Sequence, residues 1–384
     1  MKILYFSEGY SPHDHRFLSA MAGTSHRVSF LMLREIPGFR PEGRLPPGVS
    51  FAGSLGYRGG SIPHGEMHRY LPAFRDVLRE VQPDLLHAGP VQTCGYLGAL
   101  AQVHPFLLMS WGYDLLGGSL DDVDWLQVTG FVLGHADWFL CDSDAVRSRL
   151  KSIVAYPDDR ILQLPWGVDT GVFHPREGPS PLRSRLGWED SFVILGTRMW
   201  EPVYGIMTLL SAFEGAYRED PSLRLLLLGD GSLSGEVRDF ISGHGIAGVV
   251  CTPGVVPQEE VPSWYGAADA YIACSRVDGA SVSLLQALAC GLAVIATDIE
   301  GNREWIAPGS NGWLVPGGDT GGFSRAVLGV AGLTGRERSA MARLNREIAV
   351  RRADWNRNIR LLLDAYDGIG AMATGRGGKG KISP

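Results

Sequence analysis

One segment, residues 271–304, constrains the fold and the ligand chemistry of this chain more than any other. An apolar run from Tyr271 to Cys274 leads into a polar loop at Asp278–Gly279. A helix rich in small residues then runs from near Ser281 to Gly291, and a second apolar run ends at Thr297–Asp298. This order predicts strand, loop, helix and strand, which is how a parallel sheet builds a ligand crevice at the carboxyl ends of its strands.

The start of the predicted helix favours an anionic ligand. Backbone N–H groups near Val282 and Ser283 have no partner inside a helix, and the positive end of the helix dipole lies beside them. Gln286 lies about one turn further along, so its amide would reach hydroxyl groups on the same ligand. The segment therefore predicts a phosphate at the helix start, with polar contacts to the rest of the ligand.

Length and composition exclude several classes of protein. The chain has 384 residues, which predicts two domains. Its net charge of −6 argues against a nucleic-acid-binding protein. Met1–Phe6 leads directly into a strand-like run rather than a signal peptide, and no apolar run approaches the roughly 20 residues of a membrane span. Five scattered cysteines indicate reduced, mostly buried thiols, so we expect a cytoplasmic protein with at most peripheral contact at the inner membrane face.

Short apolar strands alternate with amphipathic helices along both halves of the chain, which predicts two parallel, doubly wound sheets. The predicted strands are Lys2–Ser7, His26–Leu33, Leu85–Ala88, Phe106–Ser110, Trp138–Cys141, Ile161–Leu164, Phe192–Thr197, Arg224–Gly229, Val249–Thr252, Ala270–Cys274, Ala293–Thr297 and Trp313–Val315. The predicted domains are residues 1–172 and 173–345. A C-terminal helix within 346–368 is expected to pack back toward the first domain, and residues 369–384 are expected to form a disordered, Gly-rich tail.

Two further motifs have an ordinary structural reading beside the functional one. Arg198 follows a strand, where its charge and five donors suit a diphosphate, but a surface salt bridge is an equal alternative. Gly229-Asp230-Gly231 ends another strand, and its glycines favour a tight turn over a ligand contact when the motif is taken alone. Asp278 and Gln286, taken singly, also fit a turn residue and a neutral helix position.

The combination of these motifs carries more information than any one of them. Ala268–Glu304 resembles the nucleotide-sugar-binding signature of retaining glycosyltransferases with the GT-B fold, carbohydrate-active family 4, also described as glycosyl transferases group 1. Val193–Ala212 resembles the strand, arginine and helix with which this family holds phosphate, and Leu225–Gly231 resembles its strand ending in Gly-Asp-Gly. Gly167–Asp169 resembles its interdomain signature, and Trp355–Tyr366 its closing helix.

The sequence departs from the family pattern at four positions. The first family glutamate is Asp278 here, which keeps a carboxylate, and the second, the usual ligand of ribose hydroxyls, is Gln286. Tyr204 replaces the lysine that usually follows the phosphate arginine, and Trp111 replaces a histidine that is common on the acceptor side. Loss of the carboxylate at position 286 is expected to weaken nucleotide binding by about 1 kcal/mol.

The resemblance implies an α/β protein of the GT-B fold, in which two Rossmann-like, doubly wound parallel-sheet domains face a central cleft. It implies a retaining glycosyltransferase of carbohydrate biosynthesis that moves a sugar from a nucleoside diphosphate sugar to a hydroxyl acceptor, which is a glycan, a lipid-linked molecule or a small molecule. The residues it implies for catalysis are Arg198, Asp278 and Asp114. Those it implies for donor binding are Gly229, Asp230, Gly279, Ser281, Val282, Ser283 and Gln286.

Other functions stay open from the sequence. A nucleotide-sugar 2-epimerase shares the architecture, and a non-catalytic nucleotide-sugar-binding homologue would fit Gln286 and Tyr204. His13 and His15 follow the first strand, but a metal site there needs further ligands. The resemblance also implies a fold that usually works without bound metal, so we expect no bound cofactor and no required metal, with the nucleotide sugar as the donor substrate.

Overall fold

The computed structural model describes residues 1–58 and 64–373. The chain divides into two compact units. The first contains Met1–Leu164 and the chain from Arg357, and the second contains Pro165–Asn356. Each unit is built around its own parallel β-sheet.

The described part of the first unit holds a seven-stranded sheet in the order β3-β2-β1-β4-β5-β6-β7. All the paired strands are parallel. The strands are β1 (Lys2–Ser7), β2 (Arg27–Arg34), β3 (Val49–Tyr57), β4 (Leu85–Ala88), β5 (Phe106–Met109), β6 (Trp138–Cys141) and β7 (Ile161–Gln163). The strand order reverses between β1 and β4, so this is a doubly wound sheet.

Helices connect these strands. They are α1 (Pro12–Ala22), α2 (Leu71–Val81), α3 (Tyr96–Ala101), α4 (Tyr113–Leu116), α5 (Val123–His135) and α6 (Asp144–Ile153). Helix α1 begins with a capping box, in which Ser11 and Asp14 each bond the backbone of the other. This cap fixes the loop that follows the carboxyl end of β1.

The second unit repeats the plan with a six-stranded sheet in the order β10-β9-β8-β11-β12-β13. The strands are β8 (Phe192–Gly196), β9 (Leu223–Leu228), β10 (Val250–Gly254), β11 (Ala270–Ala273), β12 (Ala293–Thr297) and β13 (Gly312–Val315). The helices are α7 (Pro181–Leu186), α8 (Ile206–Glu219), α9 (Ser234–Gly243), α10 (Val261–Tyr265), α11 (Val282–Ala289), α12 (Glu300–Arg303), α13 (Thr320–Ala331) and α14 (Gly335–Arg352). Every strand pairing in this sheet is parallel as well.

Both faces of the second sheet are buried. Ile194 of β8 lies in one apolar cluster, whereas its neighbours Val193 and Leu195 lie in the other. Successive side chains of a strand point to opposite faces, so a sheet covered on both sides needs strands that are apolar throughout. This explains why the sequence shows continuous apolar runs instead of an alternating pattern.

The division between the units differs from the prediction. We expected it after residue 172, but it falls after Leu164. The reason is that the segment after Leu164 pairs with the end of the second unit: Val168 N donates to Ala353 O at 2.8 Å, and Trp355 N donates to Val168 O at 2.9 Å. Phe173 is buried in a core cluster of the second unit.

The C-terminal region also differs in detail. Residues 346–352 belong to α14, and the final helix, α15, spans Trp355–Ala373. From Arg357 onward it belongs to the first unit, where the buried Tyr366 hydroxyl lies 2.6 Å from His87 Nδ1. Residues 369–373, expected in the disordered tail, are helical, and the rest of that predicted tail, 374–384, lies outside the described residues.

Candidate functional site

The sequence-predicted site lies where the strand order of the second sheet reverses. Strand β8 lies between β9 and β11, so the chain leaves β8 toward one side of the sheet and leaves β11 toward the other. The loops that follow these neighbouring strands diverge at their carboxyl ends, and such a reversal forms the ligand crevice of doubly wound folds. Arg198 follows β8, and Asp278 and α11 follow β11.

The structure brings Arg198 together with three of the predicted residues. Its Nη2 lies 3.0 Å from Asp278 Oδ2. Its Nη1 donates to Ser281 Oγ at 3.2 Å and to Ser283 Oγ at 3.3 Å. The side chains of Arg198 and Asp278 are 18% and 17% exposed, so this ion pair is largely shielded from solvent. Arg198 thus forms a salt bridge, which was the structural alternative considered from the sequence, but this salt bridge is largely shielded and its guanidinium also bonds two serines.

Burial and pairing both act on the charges of this cluster. Burial opposes the charge of Arg198, but the carboxylate of Asp278 and the neighbouring tyrosines offset it, and the pKa of the guanidinium is raised. Burial also raises the pKa of Asp278, although the guanidinium and the Ser281 hydroxyl oppose the increase. In this pair, the positive charge of the Arg198 guanidinium is balanced by the Asp278 carboxylate.

Helix α11 begins beside this ion pair. Ser281 is its N-cap residue, and no side chain caps the first turn. Ser281 O accepts from Leu285 N at 3.0 Å, so the N–H groups of Val282 and Ser283 have no partner within the helix. Two serine hydroxyls, these N–H groups and the guanidinium thus lie together, and all of them are hydrogen-bond donors suited to phosphate oxygens.

Gln286 lies one turn into α11 and is half-buried. Within residues 1–58 and 64–373, no side chain or backbone group bonds its amide. The prediction that this amide meets ligand hydroxyls is therefore compatible with its position, and it stays a prediction.

Close backbone packing holds the loop between β11 and α11. A Cβ atom added to Gly301, in α12, would lie 2.4 Å from Gly279 O and 2.5 Å from Asp278 O. These distances are far below van der Waals contact, so only glycine permits this approach. Gly279 and Asp278 are thus positioned by the element that follows β12.

Gly229 and Asp230 were predicted to bind the donor, and the structure gives each of them a structural role. Gly229 has φ +113°, and a Cβ there would lie 2.9 Å from Arg198 O, so it allows the loop after β9 to pass close to the loop that carries Arg198. Asp230 Oδ1 accepts from Gly231 N at 2.9 Å and from the Ser234 hydroxyl at the start of α9. The turn interpretation accounts for both residues, and a ligand contact by either stays a prediction.

Asp114, the third predicted catalytic residue, belongs to the first unit. It is 6% exposed, and its carboxylate accepts from Ser110 Oγ at 2.7 Å and from Val91 N at 2.9 Å. Burial raises its pKa to about 6, although these hydrogen bonds oppose the increase. What the structure shows is a carboxylate that ties α4 to the segments that follow β4 and β5, which is a structural role.

Two tyrosines of the site were missed because nothing in the sequence pattern marks them. Tyr265, at the end of α10, donates its hydroxyl to Ser283 O at 3.0 Å and lies 3.1 Å from Thr197 Oγ1. Tyr271, in β11, stacks on Tyr265 with ring centroids 6.0 Å apart. Both are fully buried, and Tyr265 supports the start of α11 through its hydrogen bond to Ser283 O. Their apolar neighbours in the sequence make them indistinguishable from ordinary core aromatics.

The described residues contain no group of three or more His, Cys, Asp or Glu side chains arranged to hold a metal ion. Across the same residues, none of the helices combines the length and the apolar character that crossing a membrane requires.

Comparison with known proteins supports the predicted resemblance. Residues 189–332 match the model of the family described as glycosyl transferases group 1. The chain is 28% identical over 266 residues to the D-inositol 3-phosphate glycosyltransferase of Thermomonospora curvata, covering 64% of this chain and 61% of that protein. It is 30% identical over 189 residues to the GDP-mannose-dependent alpha-(1-6)-phosphatidylinositol monomannoside mannosyltransferase of Mycolicibacterium smegmatis, covering 47% and 49%. The chain thus spans less than two thirds of the length of each relative.

Solved structures share the fold over nearly the whole chain. Sucrose-phosphate synthase from Thermosynechococcus elongatus superimposes with a TM-score of 0.82 at 18% identity, covering 97% of this chain and 99% of that one. Anabaena Alr3699/HepE in complex with UDP-glucose superimposes with a TM-score of 0.76, also at 18% identity, covering 96% and 100%. The resemblance to group 1 glycosyltransferases and the GT-B fold class of two parallel-sheet α/β domains are confirmed.

Proposed function

We propose that this protein transfers a glycosyl group from a nucleoside diphosphate sugar to a hydroxyl acceptor, with retention at the anomeric carbon. The observation that carries this proposal is the cluster at the start of α11. There, Arg198 bonds Ser281 and Ser283 beside N–H groups that have no partner within the helix. Its setting, at the reversal of the second sheet and inside the segment that matches the glycosyltransferase family, supports a diphosphate as the ligand.

The proposed chemistry needs no side-chain nucleophile. The acceptor oxygen forms a bond to the anomeric carbon while the bond from that carbon to the diphosphate oxygen breaks. The acceptor proton passes to the departing diphosphate. Negative charge accumulates on the diphosphate in the transition state, so Arg198 and the N–H groups of Val282 and Ser283 would stabilise it there.

Asp278 and Gln286 would hold the remainder of the donor. The Asp278 carboxylate is an acceptor for sugar hydroxyls, and the Gln286 amide offers one acceptor and two donor hydrogens to the ribose. Asp278 already pairs with Arg198. Donor binding would therefore place a diphosphate next to a guanidinium whose charge one carboxylate balances, which makes the neutral N–H donors of α11 a large part of the binding energy.

The acceptor would bind to the first unit. That unit has its own strand-order reversal between β1 and β4, and Trp111 and the 54% exposed Tyr113 follow β5 beside it. Aromatic rings of this kind pack well against the apolar faces of polyols and sugars. The names of the two curated relatives refer to an inositol phosphate and to a phosphatidylinositol mannoside, which supports a hydroxyl-rich acceptor.

The test begins with donor binding. Thermal unfolding is measured with UDP-glucose and with GDP-mannose, because a ligand that binds the folded state at 100 times its Kd stabilises that state by about 2.7 kcal/mol. Arg198→Lys keeps the charge but loses the planar fork of donors, and we expect at least a tenfold weaker Kd. Arg238→Lys, on the exposed surface of α9, is the matched control and should leave the Kd unchanged.

The reaction is then followed by mass spectrometry with an inositol phosphate and other polyols as acceptors. A glycosylated acceptor together with free nucleoside diphosphate supports the proposal. An epimerised sugar on intact nucleotide would instead indicate the 2-epimerase-like function. Donor binding without turnover of any acceptor would indicate a non-catalytic nucleotide-sugar-binding protein.

A further inference from the structure

The aromatic ring of Tyr204 faces the guanidinium of Arg198. The guanidinium carbon lies 4.1 Å from the ring centroid, well inside the distance at which a cation and an aromatic face attract each other. The guanidinium is largely buried, and such attraction is strongest where both groups are shielded from water. Tyr204 stands where the resembling family usually has a lysine, so this chain places an aromatic face where a second cation would be expected.

The backbone that carries Tyr204 is held firmly. Tyr204 ends the one-turn helix Pro202–Tyr204, and Gly205 follows with φ +64°. A Cβ on Gly205 would lie 2.1 Å from Cys274 O, at the end of β11. Arg276 N donates to Val203 O at 2.8 Å. These contacts dock the loop after β8 onto the loop after β11, and they fix the ring relative to the residues that Arg198 bonds.

The hydrogen bonds of Arg198 lie at the edge of the planar guanidinium, and the Tyr204 ring packs against one of its faces. Its two terminal nitrogens bond Asp278, Ser281 and Ser283. Its Nε is buried and has no hydrogen-bond partner in the described part of the chain. Arginine stacks on aromatic faces without giving up the donors at its edge, so the Tyr204 ring restrains the plane of the group while its N–H donors stay directed at the start of α11.

We propose that Tyr204 is a positioning residue, whose ring holds the Arg198 guanidinium in the plane in which it meets a diphosphate. Without the ring, the guanidinium is free to rotate into a two-bond pairing with Asp278, which is the preferred geometry of an arginine and a carboxylate. The donors would then be turned away from the diphosphate. This inference rests on the proposed function for its consequence, but not for the contact between ring and guanidinium.

The test compares three variants of Tyr204. Tyr204→Phe keeps the aromatic face and should bind the donor within about twofold of the original chain. Tyr204→Leu removes the face at similar bulk, and we expect a Kd for UDP-glucose or GDP-mannose that is roughly 5 to 10 times weaker. Tyr204→Lys introduces the lysine that the resembling family usually has at this position. It therefore separates the effect of an added charge on donor binding from the effect of ring stacking. In a background of Arg198→Lys, the change to leucine should have a smaller effect than it has alone, because the two residues act together.

A second readout does not need the donor. In an NMR spectrum of arginine side chains, the Nε–H resonance of Arg198, identified by its loss in Arg198→Lys, should be shifted by the ring current of Tyr204. The shift should persist in Tyr204→Phe and disappear in Tyr204→Leu. Equal donor affinity in the phenylalanine and leucine variants, or a resonance that is unchanged in Tyr204→Leu, would overturn the inference.

The two readouts separate this inference from the proposed function. If the original chain binds no nucleotide but shows the ring-current shift, the ring still positions Arg198 and the proposed function fails. If the chain binds the donor but the leucine variant is indistinguishable from it, the proposed function stands and the role of Tyr204 fails.

Discussion

Among single residues, Gln286 is the one that, under the proposed function, would limit how strongly the site holds a nucleotide. A carboxylate at this position would accept two hydroxyl hydrogen bonds, whereas the amide supplies one acceptor and a donor group. Hydrogen bonds to a charged group are about twice as strong as those between neutral groups. The half-buried position of Gln286 in α11 places it one turn from the proposed diphosphate contacts.

Gln286→Glu should therefore tighten the binding of a nucleoside diphosphate sugar. The expected gain is about 1 kcal/mol, or roughly fivefold in Kd, measured by isothermal titration calorimetry. Gln127→Glu makes the same charge change on the exposed face of α5 and should leave the Kd unchanged. Equal or weaker binding in the position-286 variant would remove Gln286 from the ribose contacts.

The local sequence was enough to predict that Arg198 lies close to Asp278, Ser281 and Ser283. Arg198 lies in the loop after β8, and the segment from Asp278 to Ser283 lies in the loop and helix start after β11. Neighbouring parallel strands bring their carboxyl ends to one edge of the sheet. Asp230 has the same kind of position, yet its carboxylate bonds the start of α9. The position of a residue along the chain predicts where its backbone lies in the fold. It does not predict which group its side chain contacts.

At the scale of elements, the loop between β11 and α11 depends on its contact with α12. Gly301→Ala would place a methyl group 2.4 Å from Gly279 O, and the loop that carries Asp278 would have to move. We expect destabilisation on the order of 1–3 kcal/mol in chemical denaturation and weaker donor binding, because Asp278 and the start of α11 would be displaced from Arg198.

Gly329→Ala is the matched control for this substitution. Gly329 lies within α13, and a Cβ there meets nothing within 4 Å. This change should raise stability by up to about 1 kcal/mol and leave donor binding unaltered. A Gly301→Ala variant that behaves like the control would show that the close packing does not position the loop.

Strand β3 and most of helix α14 were not predicted, and each has its own local cause. Strand β3 contains Gly53 and Gly56 at positive φ, and glycine inside a strand weakens the pattern by which strands are predicted. Helix α14 is rich in charged residues and buries only Met341, Asn345 and Ala349, which is too narrow an apolar stripe to stand out. By contrast, the fully apolar or nearly apolar β4, β6 and β12 were predicted with their observed bounds, because a short apolar run between polar loops is typical of a buried strand.

At the scale of the whole molecule, the alternation of strands and helices was enough to predict two doubly wound sheets. It could not locate the division between the units, because the segment after Leu164 resembles a linker in sequence but pairs with Ala353 and Trp355. The acceptor was also beyond sequence reasoning. Under the proposed function its site would depend on where loops from separate strands of the first unit meet, and no short motif encodes that arrangement.

The proposed function requires a diphosphate to bind at the start of α11, opposite Arg198. The most direct measurement is a crystal structure of the chain with UDP or GDP bound. We predict diphosphate oxygens within hydrogen-bond distance of the N–H groups of Val282 and Ser283 and of the Arg198 guanidinium, with the Tyr204 ring still stacked on that group. A nucleotide bound elsewhere, or an Arg198 side chain turned away from the diphosphate, would contradict the proposed function.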